Sequence, residues 1–280
     1  MQQQPNSLEA WLAYLGQAEI PVLRQTAREL ERQRADEAQL NARDVAEAVD
    51  DDPLLTAKLL RYLQGHKLHQ QVYELVDVKQ TLLMLGLDAF FREVPAAPYV
   101  EDVLQDHRLA LVQLLQTVRR AQRAAYYAYD WAVRLHDLHA EEVYVSALLN
   151  HLSEMLMWCF NPGQMLEIAR RQAADPTLRS ADVQRQVLGF RGVELQHRLV
   201  LTWKLPELLA SVTDPAQAHT QRVRNVKLAS NLARHSANGW DNAALPDDYR
   251  DIGELLRLTP DQVMAVIRSR DESAPATAGE

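Results

Sequence analysis

Along residues 106–136 the apolar side chains return every three or four positions. Leu111, Leu114, Leu115, Val118 and Ala125 make a stripe interrupted only by Gln122. That period belongs to an α-helix with one buried face. Leu54, Ala57, Leu60 and Leu63 repeat it upstream. Runs of β-branched and aromatic residues bounded by turn signals are nearly absent, so strands are not expected. Only 9 glycines occur in 280 residues, while Ala, Leu, Gln, Glu and Arg, which lose little freedom in a helix, are abundant. The expected fold class is all-α, a multi-helical bundle.

Turn residues cut the chain into pieces. A first helix is expected around Ser7–Gln17, with Ser7 as N-cap and Pro21 beyond its end. Asp50, Asp51, Asp52 and Pro53 separate a helix near Ala42–Val49 from one near Leu54–Leu63. Proline suits a first helical turn, and acids suit its positive end. Pro95 and Pro98 mark a break over 95–102, read as a subdomain boundary. Helices over 106–136, 141–160 and 163–174 follow, the last two divided at Asn161-Pro162-Gly163. Further breaks fall at Asp175-Pro176 and Leu205-Pro206. The organisation reads as an N-terminal extension helix (1–17), a helical subdomain (18–98), a second helical subdomain (99–240), a C-terminal helix (241–272) and a disordered tail (273–280). No internal repeat is visible.

Several chemistries are excluded early. A single cysteine, Cys159, leaves no intramolecular disulfide or multi-cysteine metal site and suits a reducing cytoplasm. No glycine run has phosphate-cradling spacing. The formal charge of −8 argues against broad nucleic-acid binding. No apolar run is long enough for a membrane span, and the start lacks the pattern of a secretory signal. The 9 histidines are the one group that invites a metal argument.

Three stretches resemble the HDOD family, the catalytically altered branch of the HD-domain superfamily found in bacterial signalling proteins. The first combines Ile20-Pro21-Val22-Leu23, Val45–Val49, Asp52-Pro53-Leu54-Leu55-Thr56-Ala57-Lys58-Leu59-Leu60 and Leu85-Gly86-Leu87. The second is Ser146–Ser153, where HD proteins carry "AGLLHDIG"; the third is Val187–Gly192 followed by Trp203-Lys204-Leu205-Pro206. Together they span about residues 18–240. The resemblance implies an HD-like bundle with an N-terminal helical subdomain. It also implies where metal ligands of a working HD site would fall. Those positions hold Arg120 for the first histidine, Asn150 and His151 for the His-Asp pair, and Gly192 for the later histidine; the region of the last pair reads Ser211-Val212-Thr213-Asp214. A working site needs histidines and carboxylates around a divalent ion that acidifies a water. A guanidinium roughly 5 Å from that ion, at an effective dielectric near 20, costs about 3 kcal/mol per unit of metal charge. No catalytic residue, metal or cofactor is therefore expected.

Rival readings attach to other polar residues. His136-Asp137, with His139 and with Glu141 or Glu142, is either a metal site or a polar turn between helices, and the turn is preferred. His151 lies in the apolar run Val143–Phe160 and is read as a buried neutral histidine bonded to a partner such as Glu154 or Ser153. Met155, Met157 and Met165 are read as core, and Cys159 as an inert buried thiol. Arg119, Arg123, Tyr126 and Tyr127 form a candidate protein-interaction surface, against a reading as core packing.

Three functions compete. The first is a non-catalytic regulatory scaffold in the bacterial cytoplasm that binds signalling proteins, with no nucleic-acid or membrane partner. The second is a metal-dependent phosphohydrolase using His136, Asp137, His139 or His151. The third is a cavity that keeps the HD position and binds a nucleotide or other small anion at Arg120 without turnover.

Overall fold

The computed structural model describes residues 5–36, 40–65, 77–175 and 177–273. The chain is helical throughout these residues, and their one isolated extended pairing joins Val22 to Tyr99. The first part holds α1 (Leu8–Gln17), α2 (Arg24–Ala35), α3 (Ala42–Asp50), α4 (Pro53–Gly65), α5 (Val78–Leu85), α6 (Leu87–Glu93) and α7 (Val100–Val103). Next come α8 (Arg108–Arg134), α9 (Ala140–Leu148), α10 (Leu152–Phe160), α11 (Pro162–Ala174) and α12 (Ser180–Leu188). The last part holds α13 (Gly192–Thr202), α14 (Glu207–Thr213), α15 (Gln221–His235), α16 (Leu245–Leu256) and α17 (Pro260–Ser273). The single C-terminal helix expected over 241–272 is two, because Arg257, in the left-handed region at φ 58°, ends α16 before Pro260 opens α17. The tail expected from Ser273 lies outside the described residues apart from Ser273 itself.

Motif residues near the N-terminus converge on one joint. Asp52 is fully buried; one carboxylate oxygen accepts the Leu23 N–H at 2.8 Å and the other accepts Leu54 and Leu55 N–H at 2.9 and 3.1 Å. Burial nevertheless pushes its titration up to about 6. Six residues on, the buried Lys58 donates to the Ala97 carbonyl at 2.6 Å and pairs with Glu19. Val22 exchanges backbone hydrogen bonds with Pro98 and Val100. The segments around 20–23, 52–58 and 97–100 are thus held together by polar groups that burial obliges to pair.

The 27 residues of α8, about 40 Å at 1.5 Å per residue, run through the middle of the fold. The expected stripe is partly right: Leu114, Val118 and Ala125 are buried, whereas Leu111 and Leu115 are half-buried. From Thr117 onward the small residues Ala121, Ala124, Ala125, Ala128 and Ala132 are buried on several faces, which lets α9, α10 and α15 approach closely. One apolar cluster joins α1, α4 and α8 to α10–α14; another joins the C-terminal half of α8 to α9 and α15–α17. A third lies among α2–α6. Met155, Met157, Met165 and Cys159 are all buried in the first cluster. Burial raises the Cys159 thiol far above its ordinary titration, so it is not a nucleophile at neutral pH. At the "LG" motif, Gly189 ends α12 at φ 86°, a conformation that side-chain-bearing residues rarely adopt.

Candidate functional site

Helix α15 lies along both α8 and α9. Near its start, the buried Asn225 donates to the Ala128 carbonyl of α8 at 2.9 Å. Near its end, Ser230 accepts a hydrogen bond from the Asn150 amide at 3.0 Å. Asn150 is available there because the chain leaves the helix at that point. The single helix expected over 141–160 is interrupted at Leu149–His151. The cause is an inserted side chain. Gln196 of α13, itself buried, accepts the Ser153 N–H at 2.8 Å and donates to the Leu149 carbonyl at 2.8 Å. Those are the two backbone groups a continuous helix would have paired with each other.

His151 is accordingly not inside an apolar helix but at the turn opening α10, with 36% of its side-chain surface exposed. Its Nδ1 lies 3.7 Å from Glu154, beyond hydrogen-bond range, so the expected bond to Glu154 is absent. Ser153, the other expected partner, donates instead to the Gly192 carbonyl at 3.2 Å. Glu154 is engaged from the other side by Thr117 at 3.2 Å and Arg120 at 3.3 Å, and Arg120 also donates to Thr117 at 2.9 Å. Desolvation lowers the titration of His151; Glu154 opposes this, while Arg120 and Arg234 reinforce it. The imidazole is neutral at pH 7. Gly192 opens α13 and donates its N–H to Gln184 at 2.8 Å.

Three of the four positions singled out from the sequence therefore meet around the start of α10. Arg120 and His151 flank Glu154, and Gly192 touches the same helix through Ser153. Asn150 instead faces α15. A divalent ion does not fit this donor set, because its one carboxylate is already paired with the Arg120 guanidinium, only one imidazole stands beside it, and two arginine charges near that imidazole repel a dication. Among the described residues no three His, Cys, Asp or Glu side chains converge in a metal-holding group.

The literal His136-Asp137 dipeptide lies in the turn between α8 and α9, in a shallow depression of about 510 Å³. His136 sits at φ 54°. Asp137 receives both arms of Arg222 at 2.8 Å and the His139 N–H at 2.9 Å. Burial works against this carboxylate, but Arg222 and the His139 N–H outweigh it and hold it below its ordinary range. Arg222 also reaches Glu142 at 3.2 Å, and Glu142 accepts the Leu208 N–H. These carboxylates are occupied in holding α9 and α14 to α15.

The proposed interaction surface needs correcting at Tyr127, which is 2% exposed and stacked on Trp131 in the core. Arg123 donates to the Tyr127 hydroxyl at 2.9 Å and lies over the rings of Tyr127 and Trp240. Tyr126 is half-buried, and only Arg119 of the four is exposed. Small alanines at 121, 124, 125 and 128 leave room for aromatic bodies on several faces of α8, which a single-stripe reading does not anticipate.

The HDOD domain model matches residues 20–221, well over half of the chain. The chain belongs to the HDOD family. The crystal structure of the MmoQ response regulator from Methylococcus capsulatus str. Bath superposes on this HDOD chain with a TM-score of 0.67 at 16% identity, covering 89% of this chain and 98% of that one. A virulence factor from Campylobacter jejuni subsp. jejuni gives 0.65 at 17% identity, over 91% and 89%. Both likenesses concern the fold. No curated protein matches the chain.

What the sequence reading missed in this HDOD domain is the face of α15. Asn150 and His151 look onto Lys227, Ser230, Asn231 and Arg234 across a cavity of about 190 Å³. Arg120 does not line it. The missed residues lie about 80 positions downstream. Their only local signal is that 227, 230, 231 and 234 share one helical face.

Proposed function

We propose that this HDOD protein is a non-catalytic regulatory domain that acts in bacterial signal transduction by binding partner proteins. One observation supports the non-catalytic half above all: three of the four residues at the positions of the HD metal ligands are committed to one another and to the scaffold, and the fourth, His151, is a single imidazole. Arg120 is spent on Glu154 and Thr117, Asn150 on Ser230, and both backbone groups of Gly192 on neighbouring side chains. Restoring a metal would require unpairing Glu154 and adding carboxylate or imidazole ligands that no neighbour among the described residues supplies. The signalling half takes family membership as its lead, together with the response-regulator name borne by the Methylococcus structure.

The deciding experiment is metal analysis of protein produced with added Mn²⁺ and Fe²⁺, combined with a hydrolysis assay on bis-p-nitrophenyl phosphate and a cyclic dinucleotide. Metal well below one equivalent and hydrolysis no faster than the blank are expected. Stoichiometric metal with turnover that His151→Ala abolishes would overturn the reading.

A further inference from the structure

We propose that the cavity between the Asn150–His151 turn and α15 binds the phosphoryl group of a phosphate ester or diphosphate, held by Lys227 and Arg234. The inference goes beyond the regulatory reading and rests on one part of it, the absence of a metal at the start of α10.

Charge distribution is the first observation. The chain carries eight more acids than bases, and many of its arginines, Arg24, Arg43, Arg171, Arg191, Arg198 and Arg222 among them, lie within 4.0 Å of a carboxylate. The cavity gathers two cations that do not. Its six lining residues include Lys227 and Arg234 and no acid. Lys227 has no hydrogen-bond or ion-pair partner among the described residues. Among the described residues, Arg234 hydrogen-bonds only the Asn231 side-chain oxygen at 3.1 Å and the His235 ring at 3.2 Å. Asp248, the acid nearest in the bonding network, is taken by His235 at 2.6 Å. Two cations with no carboxylate partner among the described residues leave a local positive potential at the cavity.

Donor geometry is the second. Lys227, Ser230, Asn231 and Arg234 stand at i, i+3, i+4 and i+7 on α15, one face about 10 Å long. Ser230, 7% exposed, accepts from Asn150 and donates to nothing among the described residues, so its hydroxyl proton remains for a ligand. An ammonium, a guanidinium fork and a hydroxyl on one face match the several oxygens of a dianionic phosphoryl group better than a single carboxylate. Size is the third. About 190 Å³ is below the roughly 300–1,000 Å³ of pockets that enclose a whole small molecule. The cavity accommodates a phosphoryl head and leaves the rest of the ligand in solvent.

The test is isothermal titration calorimetry of the full chain in EDTA at low ionic strength with three probes: inorganic phosphate, pyrophosphate and ADP. Acetate serves as the monocarboxylate control. Saturable binding of at least one phosphoryl probe, weakened ten-fold or more in Lys227→Gln/Arg234→Gln and unchanged in Arg198→Gln, is expected. Comparing pyrophosphate with ADP shows whether the head alone or an attached nucleoside supplies affinity. The absence of saturable binding, or binding that the double variant retains, overturns this proposal alone. Binding that appears only after Mn²⁺ is restored overturns it together with the non-catalytic reading.

Discussion

Two turns in this molecule face the same helix, and α15 treats them oppositely. At the turn between α8 and α9, Arg222 closes on Asp137 and Glu142, whose side chains are only 11% and 13% exposed. Two helical turns further along, at the turn between α9 and α10, α15 presents Lys227 and Arg234 to Asn150 and His151 across a cavity lined by no acid, while Glu154, 3.7 Å from His151, is held by Arg120. The first turn spells His-Asp and is a structural clamp. The second, where the resemblance places the His-Asp pair of HD proteins, reads Asn150-His151 and borders an opening. What separates a clamp from a binding site is whether its charges are already compensated.

The sharpest way to break this contrast is at the clamp. Arg222→Ala leaves two nearly buried carboxylates without their cation. Loss of one partner from a buried pair costs about 3–5 kcal/mol; with Arg222 itself 36% exposed, the expected cost is about 2–3 kcal/mol after allowance for solvent screening. At about 2–4 °C per kcal/mol for a domain of this size, thermal unfolding should fall by about 4–12 °C. A change below 1 °C would mean that the clamp is ornamental and the contrast false.

Much of the architecture behind the contrast is legible in the residues, and the illegible parts have specific physical causes. The period of α8, the punctuation at Pro53 and Asn161-Pro162, and the burial of Cys159 and the methionines all follow from local pattern. The break at Leu149–His151 does not, because every residue from Val143 to Phe160 is compatible with a helix. What breaks it is Gln196, 43 positions beyond Ser153. Tyr127 misled for a related reason: its neighbours on α8 are alanines whose smallness creates space on faces that a stripe argument assigns to solvent. The cationic face of α15 is visible as a polar helical face. Nothing in its own segment shows that the face looks onto Asn150 and His151 rather than onto bulk water.

A smaller effect is expected from acid at the second turn. His151 is held below its ordinary titration value of 6.5, chiefly by desolvation. The unfolded chain takes up a proton near that pH while the folded chain resists it. The unfolded state then binds more protons, and folding stability declines as pH falls through about 6.5. Above that pH the two states hold this site equally deprotonated, and the contribution is fully present. Urea unfolding at pH 7.5, 6.5 and 5.5 should show this decline, and His151→Gln should flatten it. An identical slope in the variant would show that His151 is not the group responsible.

The smallest effect is the most diagnostic, because its sign separates the two turns. Among the described residues Lys227 and Arg234 make no ion pair, so replacing both with glutamine removes mutual repulsion and breaks no carboxylate contact seen there. With Arg234 exposed and Lys227 half-buried, surface substitutions of this kind stay within about 0.5 kcal/mol. Here the change should be zero or slightly stabilising in ligand-free protein, read as the midpoint of urea unfolding at low salt. Raising the salt to 1 M shortens the screening length to about 3 Å and should erase any gain. A loss above about 1 kcal/mol would show that these cations, like Arg222, are structural partners of carboxylates, and would remove the distinction between clamp and binding face. Stability that is unaffected or improved, alongside lost phosphoryl binding, is the behaviour of charges kept for a ligand rather than for the fold.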